Sequence, residues 1–168
     1  MRSLPIPRSS VLAARAIADT GILTLAAAVT VAIAFAVGFR LHGTAPEGLA
    51  AFGLVVVFGF AFEWLFVTLG LLSGNAQAAQ GMGMIVFPFA FISSAYMPVA
   101  MMPGWLRVFA KYQPLTSMVD AVRALTLGPQ AQALLGHPIA YFVTRSLLWA
   151  AGIVVVFGSL AVARYRRS

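Results

Sequence analysis

The chain has 168 residues, of which 61% are hydrophobic and only 9% are charged. Soluble globular domains carry about 25% charged residues, so this composition excludes a soluble protein and indicates one that lies in a membrane. The formal net charge is +7. The basic residues stand at the ends of apolar runs rather than on one face, which is typical of membrane topology and excludes nucleic-acid binding. There is no cysteine, so disulfides and cysteine metal sites are excluded.

A basic, proline-containing lead-in comes before the first apolar run. It contains Pro5, Pro7 and Arg8 and leads into a run long enough to span, without a clear cleavage site, so no secretory signal is predicted. Arg15 and Asp19 lie four residues apart at the entry of this run. Their spacing favours a local ion pair on a helix. A latch that transmits movement into the span is the alternative.

Four apolar segments are each long enough to cross a bilayer, which takes about 20 residues. They run over residues 17–39, 49–72, 78–97 and 139–163. The sequence therefore predicts an all-α polytopic transmembrane bundle that forms one domain over residues 1–168.

Lysine and arginine in the short flanks predict the orientation of the bundle, because cytosolic flanks are enriched in them. Four crossings place both termini on one side, with residues 1–16 as a cytosolic segment and residues 99–137 outside. The terminal flanks carry six basic residues, namely Arg2, Arg8, Arg15, Arg164, Arg166 and Arg167. The opposite flanks carry Arg40, Arg107, Lys111 and Arg123. Both termini are therefore predicted to be cytosolic.

The outer segment is predicted to hold two short interfacial or re-entrant helices. The first runs from Trp105 to Tyr112, with these two aromatic residues as headgroup anchors, and Pro114 stops it. The second begins near Thr116 or Ser117, with Asp120 in its first turn and Arg123 three residues later, close enough to pair with it.

Two charged residues fall inside the predicted spans. Glu63 lies in the middle of the second span, where a charge usually faces a cavity or a partner. It is interpreted equally well as a group of the translocation path and as a hydrogen-bonded carboxylate that joins helices. Arg145 lies about two turns into the last span. It is expected to reach outward to the interface, with a substrate contact as the alternative.

Prolines at Pro88, Pro98 and Pro103 bend or end helices near the outer surface. A broken helix at membrane depth is tolerated where it is buried in protein or lines a cavity, so a gate is predicted here. His42 and His137 are isolated loop residues, and the sequence shows no catalytic constellation. No enzyme site, metal site or cofactor is predicted.

The spacing of several motifs resembles the ABC-2 type transporter permease family. Between Gly81 and Gly128 the order is FP, then S and P, then MPGWL, PLT and DAVR, which is similar to drug and polysaccharide exporters. The lead-in LPIPRSSVLAAR resembles the cytosolic coupling segment of the family. The branch that looks most similar is the daunorubicin-resistance type of drug-efflux permease.

The resemblance implies a function and a set of partners. The chain would correspond to spans three to six of a six-span subunit and would lack the counterparts of the first two spans. It would move drugs, lipids or lipid-linked glycans across the bacterial inner membrane as a homodimer driven by a separate ATPase, because it contains no phosphate-binding loop of its own. A truncated, non-transporting scaffold or accessory subunit is the alternative, and an intramembrane enzyme is disfavoured.

Individual residues receive roles from the resemblance and from the pattern together. Those assigned to contact with the ATPase are Leu4, Pro5, Pro7, Arg8, Arg15 and Asp19. Those assigned to the translocation path or its gate are Glu63, Pro88, Pro98, Pro103, Trp105, Asp120 and Arg123.

Overall fold

The structure is a computed structural model that describes residues 8–73 and 76–167. Within these ranges every regular element is a helix, in agreement with the predicted all-α class. The α-helices are α1 (Arg8–Ala36), α2 (Ala45–Ser73), α3 (Ala76–Phe91), α4 (Gly104–Tyr112), α5 (Pro114–Leu127), α6 (Pro129–Leu135) and α7 (Ile139–Arg167), with a 3₁₀ helix at Val99–Met101.

Three helices in the described ranges are long and apolar enough to cross a membrane. They are α1 over Ile17–Ala36, α2 over Ala45–Ser73 and α7 over Ile139–Arg164. These helices correspond to the first, second and fourth predicted spans. Many of their large apolar side chains are exposed to the surroundings of the protein, as expected for helices that face lipid.

The third predicted span differs from its expected length. α3 has 16 residues and ends at Phe91, about 24 Å from its start at 1.5 Å per residue. A bilayer core is about 30 Å thick, so this helix alone is too short to span it. Pro88 lies three residues before its end, and the hydroxyl of Ser93 bonds the carbonyl of Ala90 at 2.6 Å. The predicted span ran to residue 97 because the sequence stays apolar up to that point. The helix ends earlier because serine hydroxyls compete for the backbone groups that helical hydrogen bonds need.

The two central helices, α2 and α7, run parallel to each other. Ala51 and Phe142 share one buried cluster, and Phe58 and Ala150 share the next cluster along both helices. α1 packs against α2 in the opposite direction, with Leu23 lying over Gly59. The start of α1 and the end of α7 therefore lie on the same side of the bundle.

Helix α5 packs between α2 and α7 at the end where both of these helices begin. Its Leu125 lies in the first buried cluster and its Met118 packs against the second cluster. α5 therefore runs antiparallel to α2 and reaches the depth of Phe58 from the side on which α2 starts. Small residues, Ala121 and Ala124, make this close approach possible.

A hydroxyl inside the bundle ties α2 to α7. Thr68 is buried, and its hydroxyl bonds both the carbonyl of Trp64 in its own helix and the carbonyl of Phe157 in α7, each at 2.8 Å. A polar contact between helices in a membrane contributes about 0.5–2 kcal/mol.

Thr68→Val is therefore expected to lower the free energy of unfolding by about 0.5–2 kcal/mol while it keeps the side-chain shape. Denaturant unfolding in detergent micelles measures this difference. Thr30→Val is the matched control, because the hydroxyl of Thr30 is exposed and bonds the carbonyl of Ala26 in its own helix. Equal stability of the two variants would contradict the role of the contact with Phe157.

Candidate functional site: the external hairpin and its polar network

Helices α4 and α5 join at Gln113, within the segment that the sequence predicts to lie outside, and the pair is termed the external hairpin. α4 ends at Tyr112 and α5 begins at Pro114. The predicted start near Thr116 or Ser117 was therefore two or three residues too late, and Asp120 lies in the second turn rather than the first. Pro114 is the first residue of the second helix, because its missing N–H and fixed φ suit the first helical position. It also ends the helix before it.

Helix α4 exposes large apolar side chains beside Arg107 and Lys111. Trp105, Val108 and Tyr112 are all exposed, and only Ala110 of this helix is buried. Exposed aromatic residues at the end of a membrane bundle favour the headgroup region. Phe109 also contacts the ring of Phe89 in α3, with 5.6 Å between ring centroids.

A group of polar side chains joins the end of α3 to α5. The hydroxyl of Ser94 donates to Oδ1 of Asp120 at 2.8 Å. Arg123 donates to the carbonyl of Ser94 at 3.0 Å and lies 3.5 Å from Oδ1 of Asp120. The predicted pair of Asp120 and Arg123 is therefore present, but the hydrogen bonds that each residue makes with Ser94 are shorter than the distance between the two.

The turn of the external hairpin extends this group. The backbone N–H of Ser94 donates to the hydroxyl of Thr116 at 3.3 Å, and the amide of Gln113 donates to the same hydroxyl at 3.1 Å. The hydroxyl of Ser117 donates to the carbonyl of Gln113 at 3.2 Å. All four of these residues are buried. The polar network is the set Ser94, Gln113, Thr116, Asp120 and Arg123.

The carboxyl of Asp120 has an altered proton affinity. Burial raises its pKa above the ordinary value, whereas the bond from Ser94 and the charges of Arg123 and Arg145 partly lower it. Burial in a low-dielectric site disfavours the ionised form of a carboxyl. Because the folded-state pKa is raised, protonation of Asp120 favours the folded state, and its contribution to stability is lost as pH rises through the folded pKa.

A backbone contact fixes the far end of α5 to the loop between α1 and α2. The N–H groups of His42 and Gly43 both donate to the carbonyl of Thr126, at 3.0 and 3.1 Å. Gly128 follows the last residue of α5 and has a φ of +59°. A Cβ atom at this position would lie 3.1 Å from the Cα of Gly43. Only residues without side chains allow two backbones to approach this closely.

The residues after Gly43 begin α2 with a reciprocal cap. The N–H and hydroxyl of Thr44 donate to Oε2 of Glu47 at 2.6 and 3.0 Å, and the N–H of Glu47 lies 3.4 Å from the Thr44 hydroxyl. This is a capping box, which satisfies donors that a helix start leaves without partners. The residue that contacts α5, Gly43, is therefore directly followed by the residue that caps α2.

Two of the three predicted prolines directly precede a helix, and the third lies inside one. Pro88 lies inside α3, Pro98 precedes the 3₁₀ helix and Pro103 precedes α4. Arg107 bridges this segment by donating to the carbonyls of Ala100 and Met102, at 2.8 and 3.2 Å. The prolines therefore shape the connection that leads from α3 into the external hairpin.

Glu63 lies apart from the other predicted gate residues. Its Oε2 accepts a hydrogen bond of 3.0 Å from the hydroxyl of Thr20 in α1. Thr20 lies 12 residues after the start of α1 at Arg8, and Glu63 lies 10 residues before the end of α2 at Ser73. The structure therefore shows Glu63 joining α1 to α2.

Replacing Thr20 by valine is expected to weaken the contact of α1 with α2 by about 0.5–2 kcal/mol. Glu63→Gln should have a smaller effect, because its side-chain carbonyl still accepts the Thr20 hydroxyl. Protease sensitivity of α1 in detergent, with Thr30→Val as the control on the same helix, measures both. A Glu63→Gln variant less stable than Thr20→Val would contradict this interpretation.

Most of the residues predicted to contact the ATPase lie before residue 17, where the structure describes few or no side chains. Leu4, Pro5 and Pro7 fall outside the described residues, as do the side chains of Arg8 and Arg15, whose backbones belong to α1. Asp19 is half-buried in α1 and directly precedes Thr20. The predicted pair of Arg15 with Asp19 therefore stays a prediction.

A groove opens between α2 and α7 away from the polar network. It has a volume of about 510 Å³ and is lined by Trp64, Val154, Gly158, Ser159, Val162 and Ala163. Within the described residues no three histidine or acidic side chains come together as a metal site. His137 instead packs against the ring of Tyr141, with centroids 4.5 Å apart.

Comparison with known proteins assigns the family. The sequence model of the family described as ABC-2 type transporter matches residues 1–127. The chain belongs to the ABC-2 type transporter family. It is therefore a multi-pass integral membrane protein, and the resemblance of the motifs between Gly81 and Gly128 is confirmed.

Two curated ABC-2 relatives align with nearly the whole chain. The daunorubicin resistance ABC transporter permease protein DrrB1 of Streptomyces coeruleorubidus is 30% identical over 98% of this chain and 56% of its own length. The probable doxorubicin resistance ABC transporter permease protein DrrC of Mycobacterium tuberculosis is 25% identical over 98% of this chain and 57% of its own. The chain thus spans little more than half of each relative. No solved structure matches it.

Sequence reasoning missed several residues of this ABC-2 chain. Ser94, Thr116 and Gln113 carry the polar network, and Gly43 and Thr126 carry the backbone contact. The serine pair after an apolar run was a signal for the network, because hydroxyls at the end of a membrane helix seek polar partners. The contact of Gly43 with α5 joins positions 83 residues apart and has no sequence signal.

Proposed function

We propose that the chain acts as a permease subunit of an ABC-2 type exporter that moves amphiphilic drugs, lipids or lipid-linked glycans. A separate ATPase drives it, and it functions as a homodimer in the bacterial inner membrane with both termini in the cytosol. The observation that carries this proposal is the family match over residues 1–127. Two relatives whose names concern daunorubicin and doxorubicin resistance support drugs as the first substrates to test.

Coupling to the ATPase is assigned to the lead-in from Leu4 to Arg15 and to Asp19. This assignment is supported by position, because the lead-in continues directly into α1, the first helix long enough to cross the membrane. Thr20 then links α1 to Glu63 of α2. Displacement of α1 by the ATPase is thereby passed to the central pair of helices.

Gating is assigned to the external hairpin and to the proline-containing connection before it. Asp120 and Arg123 of α5 bond Ser94, which lies at the start of the connection after α3. Pro88 lies near the end of α3, whereas Pro98 and Pro103 divide the connection into short pieces. Trp105 lies exposed in the first turn of α4. Release of the network frees the connection and opens an outward path.

Drug accumulation in cells tests the proposal directly. The chain is expressed in a drug-sensitive bacterium together with an ABC ATPase from the same genome, and intracellular daunorubicin is followed by fluorescence. We expect lower accumulation than in cells that carry the same pair with a hydrolysis-deficient ATPase. That comparison keeps the membrane protein constant and changes only the supply of energy.

Equal accumulation in the two strains for daunorubicin, a fluorescent phospholipid and a lipid-linked glycan would contradict export. It would favour the alternative of a non-transporting scaffold or accessory subunit. The coupling assignment has its own test, in which Leu4–Arg15 is exchanged for a glycine and serine linker of equal length. Retained binding of the ATPase after this exchange would show that the coupling residues lie elsewhere.

A further inference from the structure

Arg145 of α7 contacts the C-terminal end of α4. Its guanidinium donates to the backbone carbonyl of Lys111 and lies over the ring of Tyr112, with 5.3 Å from Cζ to the ring centroid. Lys111 is in the last turn of α4, where backbone carbonyls lack partners within the helix. A cation at this end of a helix also interacts favourably with the helix dipole. Arg145 therefore caps α4 from a different helix.

Arg145 lies within a helix long enough to span the membrane, where a charged side chain needs partners. It lies six residues after the start of α7, about 9 Å along the helix at 1.5 Å per residue. A charged side chain within a spanning helix costs several kcal/mol unless it finds partners. The side chain of Arg145, which was expected to reach outward, contacts the α4 backbone and the Tyr112 ring instead. The partners of its charge therefore belong to the external hairpin.

Other arginines of this region make contacts of a different kind. Arg107 bonds carbonyls of the connection that precedes α4, and Arg123 bonds the end of α3 from α5. Both belong to the outer segment itself. Arg145 differs from them because its hydrogen bond runs from a spanning helix to α4.

We propose that Arg145 is a positioning residue that fixes α4 to the spanning helix α7, so that the external hairpin follows α7 through the transport cycle. The common movement of hairpin and α7 rests on the proposed function, whereas the fixing of α4 does not. α5 already packs on α2 and α7. Arg145 gives α4 its own attachment, and both arms of the hairpin are then held by the same helix.

Distance measurement between spin labels tests the attachment. The chain has no cysteine, so cysteines placed at Val108 of α4 and Leu148 of α7, both exposed, are the labelled sites. The full chain is reconstituted in lipid and diluted with unlabelled copies. We expect one narrow distance peak, loss of that peak in Arg145→Met, and an intermediate width in Arg145→Lys, which keeps the charge but not the planar group.

Control variants separate the attachment from general damage to the fold. Arg107→Met removes an arginine from the same region and is expected to keep the narrow peak. Tyr112→Leu removes the ring below Arg145 and should broaden the peak without changing α7. This variant tests the attachment of α4 if Arg145→Met does not fold. A narrow peak in both Arg145→Met and Tyr112→Leu would overturn the attachment.

The common movement is tested in the complex with the ATPase. The distance peak of the unaltered chain is expected to be the same without nucleotide and with ATP bound. The ATPase in complex with Arg145→Met is expected to hydrolyse ATP without transport. A peak that shifts on ATP binding would overturn common movement. If no ATPase assembles with the chain, the proposed function and the common movement are both wrong. The width of the distance peak between the spin labels still tests whether Arg145 holds α4.

Discussion

Replacing Gly43 by alanine is expected to lower the stability of the protein by about 3 kcal/mol, which is large for one added methyl group. The added Cβ would stand 2.4 Å from the backbone carbonyl oxygen of Leu125 and 2.8 Å from Oε2 of Glu47. Neither atom is the free end of a flexible chain, because one is helix backbone and the other is held in the Thr44 cap. The loop between α1 and α2 must therefore move away from α5.

That movement breaks the bonds from His42 and Gly43 to the carbonyl of Thr126. Overpacking costs about 1–3 kcal/mol, and each lost hydrogen bond costs about 0.5–1.5 kcal/mol. These two contributions together account for the expected loss of stability. The melting temperature should fall by about 2–4 °C for each kcal/mol in a chain of this length.

Thermal unfolding in detergent measures the effect of Gly43→Ala, and Gly53→Ala is the matched control. Gly53 lies in α2 with nothing within 4 Å of its Cβ position, so alanine there is expected to be neutral or stabilising by about 0.5–1 kcal/mol. Gly128→Ala should act in the same direction as Gly43→Ala, because its φ of +59° disfavours a side chain. Equal melting temperatures for Gly43→Ala and Gly53→Ala would contradict the close contact.

Asp120→Ala is expected to release the end of α3 from the external hairpin. The change removes the acceptor of the Ser94 hydroxyl and leaves Arg123 with its bond to the Ser94 carbonyl. Leaving a buried donor without a partner costs about 1–3 kcal/mol. Under the proposed function, drug export should fall in parallel, because the proline-containing connection loses its fixed closed position.

Asp120→Asn separates the hydrogen bond from the charge. Its carbonyl still accepts the Ser94 hydroxyl, so its stability at neutral pH should be far closer to that of the unaltered chain than the stability of the alanine variant. Because burial raises the pKa of Asp120, the unaltered chain should gain stability relative to Asp120→Asn as pH falls through that pKa. Unfolding measured across acidic and neutral pH would contradict this if the difference between the two proteins grew in the opposite sense.

Composition and periodicity predicted the helical bundle because a bilayer imposes strong rules on length and polarity. Ile17–Ala36, Ala45–Ser73 and Ile139–Arg164 are long apolar helices, close to their predicted bounds. The end of α3 was wrong by six residues because hydropathy does not register how Ser93 bonds the backbone. The start of α5 was late because Pro114 was interpreted as a stop and not also as a first helical residue.

The candidate site was predicted in part. The spacing of Asp120 and Arg123 on one helix gave their pair, since residues three apart face the same way. Ser94, Gly43 and Arg145 join that region from distant parts of the chain, and single-sequence patterns carry no information on such contacts. Glu63 illustrates the same limit, because its neighbour Thr20 lies 43 residues away in α1.

Isolation of the protein with its companions tests the central claim of an ATPase-driven permease most directly. The C-terminus is tagged at the native locus, and the protein is purified from membranes and analysed by mass spectrometry together with everything that remains bound. We expect a stoichiometric ABC ATPase in the purified material, lost when Leu4–Arg15 is replaced by a glycine and serine linker. Purified chain without any ATPase, from cells that express their ABC ATPases, would contradict an ATPase-driven permease.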